Sequence, residues 1–411
     1  MPLKVLIVGA SIAGPAAAYW FARAGASVTV IERFPSFRKG GQNVDIRSVG
    51  VTVMRKLPGL EDAIRSKLYH IDGFQFVDTH GAPIATMLAT GNPEQQSVVS
   101  EYEIFRGDLS GIFYDLTKDK VKYIFDEQVK TLQQSEDSIT VEFQSGSTDI
   151  YDLVVACDGA TSRTRALGFE CGVRDHIRPL NAWASYFTIP NNITNTNMGQ
   201  SYSAVPGLFL GVGPDPVTHG NKVALISIHQ GKDATLPFRE AQKDDLKSFV
   251  CDRLRGQGWK CDEIIKGLQD CEDLYASELV QVKVPQLSKG RFVLVGDAGY
   301  SAGSAGMGTS MAMAGAYILA GEIMKHNSVK AGLQGYEDRM RPIIKDLGSI
   351  PPGVPGILAP QTAWGLYFRN MLFKVVAFGT SLGPYFSWIN GIFGTAFAKD
   401  KFGIPDYDWS T

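Results

Sequence analysis

The order of apolar and polar residues at the start of the chain predicts a strand, a helix and a second strand. Apart from Lys4, residues 3–8 are all apolar, as in a central parallel strand that is covered on both faces. A glycine turn follows, and the predicted helix runs to about Ala24, just before Gly25. Residues 27–31 form the second apolar strand. Two such strands joined by a helix are a βαβ unit, so the pattern predicts an α/β fold.

The turn between the first strand and the helix has the spacing of a dinucleotide-binding loop. Gly9 and Gly14 occupy the outer positions of a G-x-G-x-x-G pattern, whereas Ser11 replaces the middle glycine. Glu32 follows about 20 residues later, where a carboxylate binds ribose hydroxyls and repels a 2′-phosphate. The combination predicts a site for FAD or NAD. The alternative is a βαβ unit whose glycine turn binds no nucleotide.

Two later strand-to-helix junctions favour FAD over NAD. Residues 151–156 form an apolar strand that leads into CDGATSRTR, and residues 291–295 form another that leads into GDAG. A helix is predicted from about 308 to 325, and its N-terminal N–H groups could stabilise a reduced, anionic flavin. Asp297 ends its strand where it could accept hydrogen bonds from a ribityl chain, which NAD lacks. The alternative for GDAG is a plain strand-to-helix loop.

The middle of the chain predicts a second, β-sheet domain. Residues 73–88 alternate around a turn, and four more strands are predicted between 181 and 230. The expected organisation is a Rossmann-like FAD-binding domain (1–72, 98–168 and 287–348), a β-sheet substrate domain (73–97 and 169–286) and C-terminal helices (349–411). Candidate substrate contacts, unless they are ordinary sheet core, are Trp183, Tyr186, Tyr202, Phe209 and His229.

Composition and charge exclude several functions. The net charge of -2 favours neither a nucleic acid nor an anionic membrane as partner. Five cysteines and six histidines show no metal-ligand spacing, so no metal site is predicted. The first strand begins at residue 3 and leaves no room for a cleaved signal peptide, so we expect a cytoplasmic protein. Residues 375–398 carry no charge, but glycines and Pro384 favour buried packing over a membrane anchor.

Five motifs together resemble the group A flavoprotein monooxygenases, which share the para-hydroxybenzoate hydroxylase-like fold. They are GASIAG with IER (9–14 and 31–33), GGQNVDIRS (40–48), FRGDL (105–109), CDGATSRTR (157–165) and GDAG with GMGTS (296–310). Within that group the sequence is most similar to the branch of tetracycline-inactivating enzymes and polyketide hydroxylases. The resemblance implies that NADPH or NADH reduces FAD and leaves. O2 then forms a flavin C4a-hydroperoxide, which hydroxylates or epoxidises an aromatic or polycyclic, polyketide-like molecule of secondary metabolism.

The resemblance also implies roles for individual residues. Glu32 and Arg33 would hold the adenosine end of FAD, and Arg106 and Asp297 its pyrophosphate or ribityl part. Asp158 and Gly159 form the DG motif associated with FAD and NAD(P)H, and Arg47 is a candidate catalytic residue beside the flavin-proximal loop. The full predicted cofactor set is Gly9, Ser11, Ile12, Ala13, Gly14, Glu32, Arg33, Arg47, Arg106, Asp158, Gly159, Asp297, Gly306, Met307 and Gly308.

The loop after GDA departs from the family pattern. Residues 301–308 read SAGSAGMG, without proline, and Met307 replaces a glutamine. Tyr300 stands where the family usually has histidine or a similar residue. Two alternatives therefore stay open: a flavin oxidase or dehydrogenase on the same fold, and a non-redox flavoprotein such as a cyclase. The sequence fits a monomer and a homodimer equally.

Overall fold

We analysed a computed structural model of the chain. It describes residues 2–38, 41–68, 71–88, 102–303, 306–349, 354–381 and 400–409. The side chains of 354–355, 376 and 378–381 are not described.

The described residues form strands and helices in the α/β arrangement that the sequence predicts. The strands are β1 (Lys4–Val8), β2 (Ser27–Glu32), β3 (Asn43–Asp45), β4 (Gly73–Val77), β5 (Pro83–Leu88), β6 (Glu103–Phe105), β7 (Lys122–Phe125), β8 (Val129–Gln134), β9 (Ile139–Phe143), β10 (Thr148–Tyr151), β11 (Leu153–Ala156), β12 (Ile177–Ile189), β13 (Gly199–Ala204), β14 (Leu208–Pro214), β15 (Asn221–Ile228), β16 (Tyr275–Val282), β17 (Ser288–Lys289) and β18 (Phe292–Leu294). The helices are α1 (Ala13–Arg23), α2 (Val49–Lys56), α3 (Leu60–Arg65), α4 (Arg106–Thr117), α5 (Arg163–Phe169), α6 (Leu236–Ala241), α7 (Leu246–Leu254), α8 (Cys261–Asp270), α9 (Asp297–Tyr300), α10 (Gly308–His326), α11 (Val329–Leu347), α12 (Val354–Leu358) and α13 (Ala363–Ser381).

A six-stranded sheet forms the centre of the nucleotide-binding part. Its order is β17-β18-β11-β1-β2-β7, and every pair is parallel except β17 with β18. Val5, Leu6 and Ile7 are fully buried, because helices cover both faces of the central strand. The aromatic rings of Trp20 on α1 and Tyr317 on α10 meet edge to face, 4.8 Å apart. The sheet is Rossmann-like, which confirms the predicted α/β fold class.

A seven-stranded sheet forms the second part of the molecule. Its order is β16-β12-β15-β14-β13-β4-β5, mostly antiparallel, with β13 and β4 parallel. One face packs against α6, α7 and α8 in an apolar core of its own. We call this the helix-covered face. The opposite face, which we call the cleft face, is turned towards the nucleotide-binding part, since Arg106 of α4 lies 5.9 Å from the ring of Tyr275.

Helix α13 lies on the cleft face at the β4–β5 edge of this sheet. The ring of Phe373 is 4.5 Å from that of Phe76, and Arg369 donates to Ser203 Oγ over 2.8 Å. The outward side of α13 exposes a stripe of large apolar side chains: Trp364, Tyr367, Phe368, Met371, Leu372 and Val375. Among the described helices, none is both long enough and apolar enough to cross a membrane. The predicted buried packing of residues 382–398 lies outside the described residues.

Candidate active site

The glycine turn brings two chain segments together at the carboxyl ends of the neighbouring strands β1 and β11. Gly9 has a φ of +110°, and a Cβ on it would stand 2.6 Å from the carbonyl oxygen of Cys157. A Cβ on Gly14 would stand 1.8 Å from the carbonyl oxygen of Gly9. Both positions therefore require glycine, and α1 can begin directly against β1. Ligands of open α/β sheets bind at this edge, where the strands end.

Ser11, in place of the middle glycine, is held by a partner from another part of the chain. Arg106 donates from Nη2 to Ser11 Oγ over 2.7 Å. Ser11 is not among the described residues with positive φ, so the replacement of glycine strains no backbone there. A Cβ on Gly41 would be 3.2 Å from Cβ of Arg106, so the loop before β3 packs closely on this arginine. The structure thus brings Ser11 and Arg106 together, and their contact with FAD stays a prediction.

Glu32 closes the far side of the turn. Its carboxylate accepts hydrogen bonds from the backbone N–H of Ala10 over 2.8 Å and of Phe34 over 3.2 Å. Arg33 is exposed and its guanidinium lies 5.0 Å from the ring of Phe34. The arginine that lines the cleft here is Arg38, which the sequence analysis missed. Arg38 is also exposed as a whole, but partial burial in the cleft, and then the neighbouring cation of Arg106, lower its pKa.

The DG motif is organised by hydrogen bonds within its own loop. Thr164 donates to Asp158 Oδ2 from its backbone N over 3.1 Å and from its hydroxyl over 2.9 Å, and Ser162 Oγ donates to Oδ1. The carboxylate therefore fixes the start of α5, and a direct contact of Asp158 or Gly159 with a nucleotide stays a prediction. Because a Cβ on Gly9 would also be 3.2 Å from Cα of Asp158, the motif lies against the glycine turn.

Arg165 ties this loop to the GDAG loop. It is fully buried, and its guanidinium donates to three backbone carbonyls: Ala298 over 2.8 Å, Val173 over 2.9 Å and Ala160 over 3.0 Å. Burial lowers the pKa of Arg165, and the negative charge of Asp158 opposes that effect. The sequence analysis quoted this residue in CDGATSRTR without a role. The residue type could have indicated this role, because the guanidinium of a buried arginine needs acceptors for five N–H groups.

Asp297 lies where the GDAG loop meets the starts of α1 and α10. A Cβ on Gly296 would be 3.0 Å from Cβ of Ala13, and one on Gly308 would be 3.5 Å from Asp297 Oδ1. Asp297 is partly exposed, but the surrounding protein desolvates its carboxyl group and raises its pKa, while Arg106 and a hydrogen bond from Ser301 lower it.

Met307 is buried and directly precedes the first residue of α10. The structure thus brings Ala13, Asp297, Met307 and Gly308 together, and their contact with FAD stays a prediction.

Arg47 lies on the loop that follows β3. It donates to Asp45 Oδ2 from Nε over 3.2 Å, and its backbone N–H donates to Ser310 Oγ over 2.9 Å. Ser310 thereby joins the β3–α2 loop to the first turn of α10. A Cβ on Gly306 would be 3.7 Å from Asp45 Oδ2, so Arg47, Asp45 and the glycine-rich loop form one neighbourhood. Asp45 and Ser310 were not predicted as site residues.

The five predicted substrate contacts divide between the two faces of the seven-stranded sheet. Tyr186 is on the cleft face, where its ring lies 6.5 Å from that of Tyr275 on the next strand. Phe209 shares that face, since it pairs with Ile226, and Ile226 pairs with Ala184, two residues from Tyr186. These two residues stay candidates for substrate contact.

The structure corrects the prediction for the other three residues. The helix-covered face carries Trp183, Tyr202 and His229. Trp183 stacks on Phe238 of α6 at 5.2 Å, and its indole N–H donates to His229 Nε2 over 3.1 Å. The hydroxyl of Tyr202 donates to the carbonyl of Gln257 over 2.6 Å. Burial and then the nearby Arg253 lower the pKa of His229, which keeps the imidazole neutral as an acceptor. These three side chains stabilise the sheet's helix-side core instead of lining a substrate pocket.

The described residues fit the shape and charge of FAD. A cleft runs past the glycine turn, and its lining includes the carboxylate of Glu32 and the guanidinium groups of Arg38 and Arg106. A carboxylate suits ribose hydroxyls, and guanidinium groups suit a pyrophosphate. The cleft is lined by Ala10, Ser11, Glu32, Phe37, Arg38, Arg106 and Ser110. Asp297 lies beside the start of α10 and interacts electrostatically with Arg106, which lines this cleft. Among the described residues, no group of histidine, cysteine or acidic side chains is arranged to hold a metal.

Replacing Glu32 by alanine should weaken FAD binding by about 10- to 100-fold, because a hydrogen bond to a charged acceptor is worth about 1.5–3 kcal/mol. Glu32→Gln should lose less, since the amide oxygen keeps one acceptor for the N–H of Ala10. FAD titration of the apoprotein, followed by flavin fluorescence, measures both. Asp115→Ala, at an exposed carboxylate of α4, is the control. Equal affinities in all four proteins would show that Glu32 does not hold the nucleotide.

Comparison with known proteins agrees with this geometry. Residues 2–348 match the family described as FAD binding domain. The chain is similar to the FAD-dependent monooxygenase asL4 of Sarocladium schorii, with 35% identity over 404 residues that cover 91% of this chain and 92% of that protein. It is also similar to the flavin-dependent monooxygenase eupH of a Phoma species, with 32% identity over 98% of both chains.

Solved structures show the same architecture. The tetracycline destructase Tet(51) is 28% identical, covers 92% of this chain and 97% of its own, and superposes with a TM-score of 0.76. HpxO of Klebsiella pneumoniae, complexed with FAD and uric acid, is 19% identical, with a TM-score of 0.71 over 96% of both chains, and shares the fold. The chain therefore belongs to the FAD binding domain family and is an FAD-dependent monooxygenase of the group A type.

Proposed function

We propose that this enzyme uses NAD(P)H and O2 to hydroxylate or epoxidise an aromatic or polycyclic, polyketide-like molecule, in the cytoplasm. The observation that carries this proposal is the position of Arg106. Its guanidinium reaches the glycine turn at Ser11 and also lies 5.9 Å from the ring of Tyr275 on the cleft face of the second sheet. A flavin in the first part would therefore meet a substrate held by the second.

Bound FAD would supply the activation of oxygen, and the protein would supply binding, orientation and exclusion of water. Glu32, Arg38 and Arg106 would hold the nucleotide end, and Asp297 the part of the cofactor nearest α10. On the opposite wall, Tyr186 and Phe209 offer a flat apolar surface with one hydroxyl. Burial, and then the neighbouring Tyr275, raise the pKa of Tyr186 to about 12, so the hydroxyl stays a hydrogen-bond donor.

The proposed substrate class rests on this apolar cleft face and on the similar proteins. The chain is 28% identical to a protein titled tetracycline destructase, and it is similar to several proteins named monooxygenases. A cleft face with Tyr186, Tyr275 and Phe209 suits a planar aromatic or enolic ring. The described residues contain one Rossmann-like sheet, so NAD(P)H would dock transiently over the same cleft.

The departure at Tyr300 does not favour the oxidase alternative. Tyr300 is buried, and its hydroxyl lies 3.2 Å from that of Tyr336 and donates to the carbonyl of Met311 over 3.5 Å. It packs between α9, α10 and α11 and is not part of the cleft. The change from the family pattern at this position is therefore a change in core packing.

The test is substrate-stimulated oxidation of NADPH or NADH with simultaneous measurement of oxygen. A hydroxylase consumes one O2 for each NAD(P)H and produces an oxygenated product detected by mass spectrometry. A library of phenolic and polyketide compounds, tetracycline included, provides the candidates. Oxidation of a substrate without NAD(P)H, with release of hydrogen peroxide, would identify an oxidase and overturn the proposal. A product isomeric with its substrate would identify a cyclase.

Paired substitutions on β12 should separate the two faces of the sheet. Tyr186→Leu should raise KM for the substrate several-fold with little change in stability, because the side chain lies on the cleft face. Trp183→Phe should leave KM unchanged but lower the free energy of unfolding by about 1 kcal/mol, since it removes a partly buried hydrogen bond. Steady-state kinetics and urea unfolding measure these effects. A change in KM for Trp183→Phe alone would contradict the assignment of faces.

A further inference from the structure

The short strands β3 and β6 place two carboxylic acids side by side. They pair antiparallel, with Asp45 directly opposite Glu103. Like charges in this position repel each other. Arg47 bonds to Asp45 Oδ2 at 3.1–3.2 Å, whereas Glu103 accepts from the neutral amide of Asn43 over 3.0 Å. The guanidinium of Arg47 thus bonds directly to Asp45 and not to Glu103. Glu103 is therefore the more easily protonated of the two acids.

The pair is turned towards the cleft between the two large sheets. Glu103 and Phe105 share one face of β6, since side chains alternate along a strand. Lys222, on the cleft face of β15, has its Nζ 5.2 Å from the centre of the Phe105 ring. On its other side, Asp45 Oδ2 approaches Gly306 in the loop before α10. The two acids therefore lie between the flavin-proximal loop and the proposed substrate wall.

The surroundings keep a proton on this pair near neutral pH. Burial, and then the charge of Asp45, raise the pKa of Glu103 to about 7, and Asn43 and Arg47 oppose the rise. Burial also raises the pKa of Asp45, again opposed by Arg47. From the seven-stranded sheet, the charged side chain of Lys222 faces β3 and β6. Its Nζ lies 3.7 Å from Oδ2 of Asp215 and 3.7 Å from Oδ2 of Asp273.

The hydrogen bonding of Asn43 supports a protonated form. Its Oδ1 is buried and, among the described residues, has no hydrogen-bond partner, while its Nδ2 donates to Glu103. If Glu103 carries a proton, a half-turn of the amide lets Oδ1 accept from the carboxyl O–H. The same pair of side chains thus accommodates Glu103 in both protonation states.

We propose that Glu103 is the base that accepts the proton of an acidic hydroxyl on the substrate, a phenol or an enol, and that Asp45 and Arg47 position it. This rests on the proposed hydroxylase function. The O–H bond of the substrate breaks, its electron pair stays on the substrate oxygen, and the proton forms an O–H bond with a carboxylate oxygen of Glu103. The resulting oxyanion makes the ring more electron-rich for attack on an electrophilic oxygen. The proton then passes to water in the cleft.

Carbon-13 NMR of the holoenzyme labelled at the carboxyl carbon of glutamate tests the shared proton without any substrate. One resonance should titrate with a midpoint near pH 7, and it should be missing in Glu103→Gln. In Asp45→Asn the midpoint should fall by at least about one pH unit, because the neighbouring negative charge is gone. Glu142→Gln is the control. Glu142 lies on β9, where it pairs with Lys130, and its replacement should leave the titrating resonance in place. No glutamate titrating above pH 6, or an unchanged midpoint in Asp45→Asn, would overturn the proposal.

Kinetics test the role of Glu103 as a base, with 2,4-dihydroxyacetophenone and tetracycline as probes of phenol and enol hydroxylation. The wild-type kcat should rise with pH through an inflection near 7. Glu103→Gln should lose about 100-fold or more in kcat, lack the inflection, and keep its FAD affinity. An identical pH profile in Glu103→Gln would remove Glu103 from the reaction. If the wild type consumes no oxygen with any hydroxylated aromatic, the proposed function fails, and the base role with it. The NMR titration still reports on the acid pair separately.

Discussion

Replacing Gly14 by alanine should abolish FAD binding. The new Cβ would stand 1.8 Å from the carbonyl oxygen of Gly9, and neither atom can move without separating α1 from β1. The turn that we expect to approach the pyrophosphate depends on this contact, so we expect a loss of at least about 100-fold in affinity for FAD. Overpacking of this kind also lowers the free energy of unfolding by about 1–3 kcal/mol. The flavin content of the purified protein and FAD titration of the apoprotein measure the effect.

Gly356→Ala is the matched control for this substitution. Gly356 is in the short helix α12, and a Cβ there has no atom within 4 Å. Its FAD affinity should equal that of the wild type. Wild-type affinity in Gly14→Ala would mean that helix α1 can retreat without loss of the site. The predicted role of the glycine turn would then be wrong.

The nucleotide-binding part is predictable from sequence because its signals are local. A strand covered on both faces is continuously apolar, and Gly9, Gly14 and Glu32 are fixed by backbone geometry within one βαβ unit. The structure confirms the helix predicted at 308–325, as α10. Asp297 follows a second apolar strand in the same way. Short-range patterns of this kind are set by the backbone of adjacent elements, so they survive in any fold that contains them.

The substrate wall is less predictable because alternation defines two faces but not which one is covered. Trp183 and Tyr186 are three residues apart on one strand. Because side chains alternate between the two faces, they point to opposite faces, and at most one of them can contact the substrate. That signal was present in the sequence. What was absent was the position of α6, α7 and α8, which cover the face of Trp183. Only the tertiary packing decides this choice.

The acid pair of the β3–β6 ribbon was not predictable for another reason. Asp45 and Glu103 are far apart in sequence, and their strands of three residues each are too short to give a periodic signal. Sequence analysis did single out Arg47, two residues from Asp45. The contact between these acids depends on the register of two strands, and register is a property of the pair and not of either segment alone.

Replacing Arg165 by methionine should destabilise the whole nucleotide-binding part. The guanidinium is fully buried and donates to the carbonyls of Ala160, Val173 and Ala298, which methionine would leave without a donor. A buried carbonyl without a partner costs about 1–3 kcal/mol; the bond to Ala298 is buried and the other two are partly buried, so the loss should reach about 2–3 kcal/mol out of a typical total of about 5–15. FAD affinity should fall as well, because Ala298 belongs to the loop of Asp297. Urea unfolding and flavin content are the measurements.

Two further variants separate the role of the hydrogen bonds from that of the charge. Arg165→Lys keeps a cation but lacks the planar fork that reaches carbonyls on different sides, so its stability should fall between methionine and the wild type. Arg163→Met changes an exposed arginine of the same helix and should leave both stability and flavin content unchanged. If Arg165→Met unfolds at the same urea concentration as Arg163→Met, the guanidinium does not hold the two loops together. Asp297 would then owe its position to the close approach of Gly296 to Ala13 and Ala312 and to its own contact with Gly308.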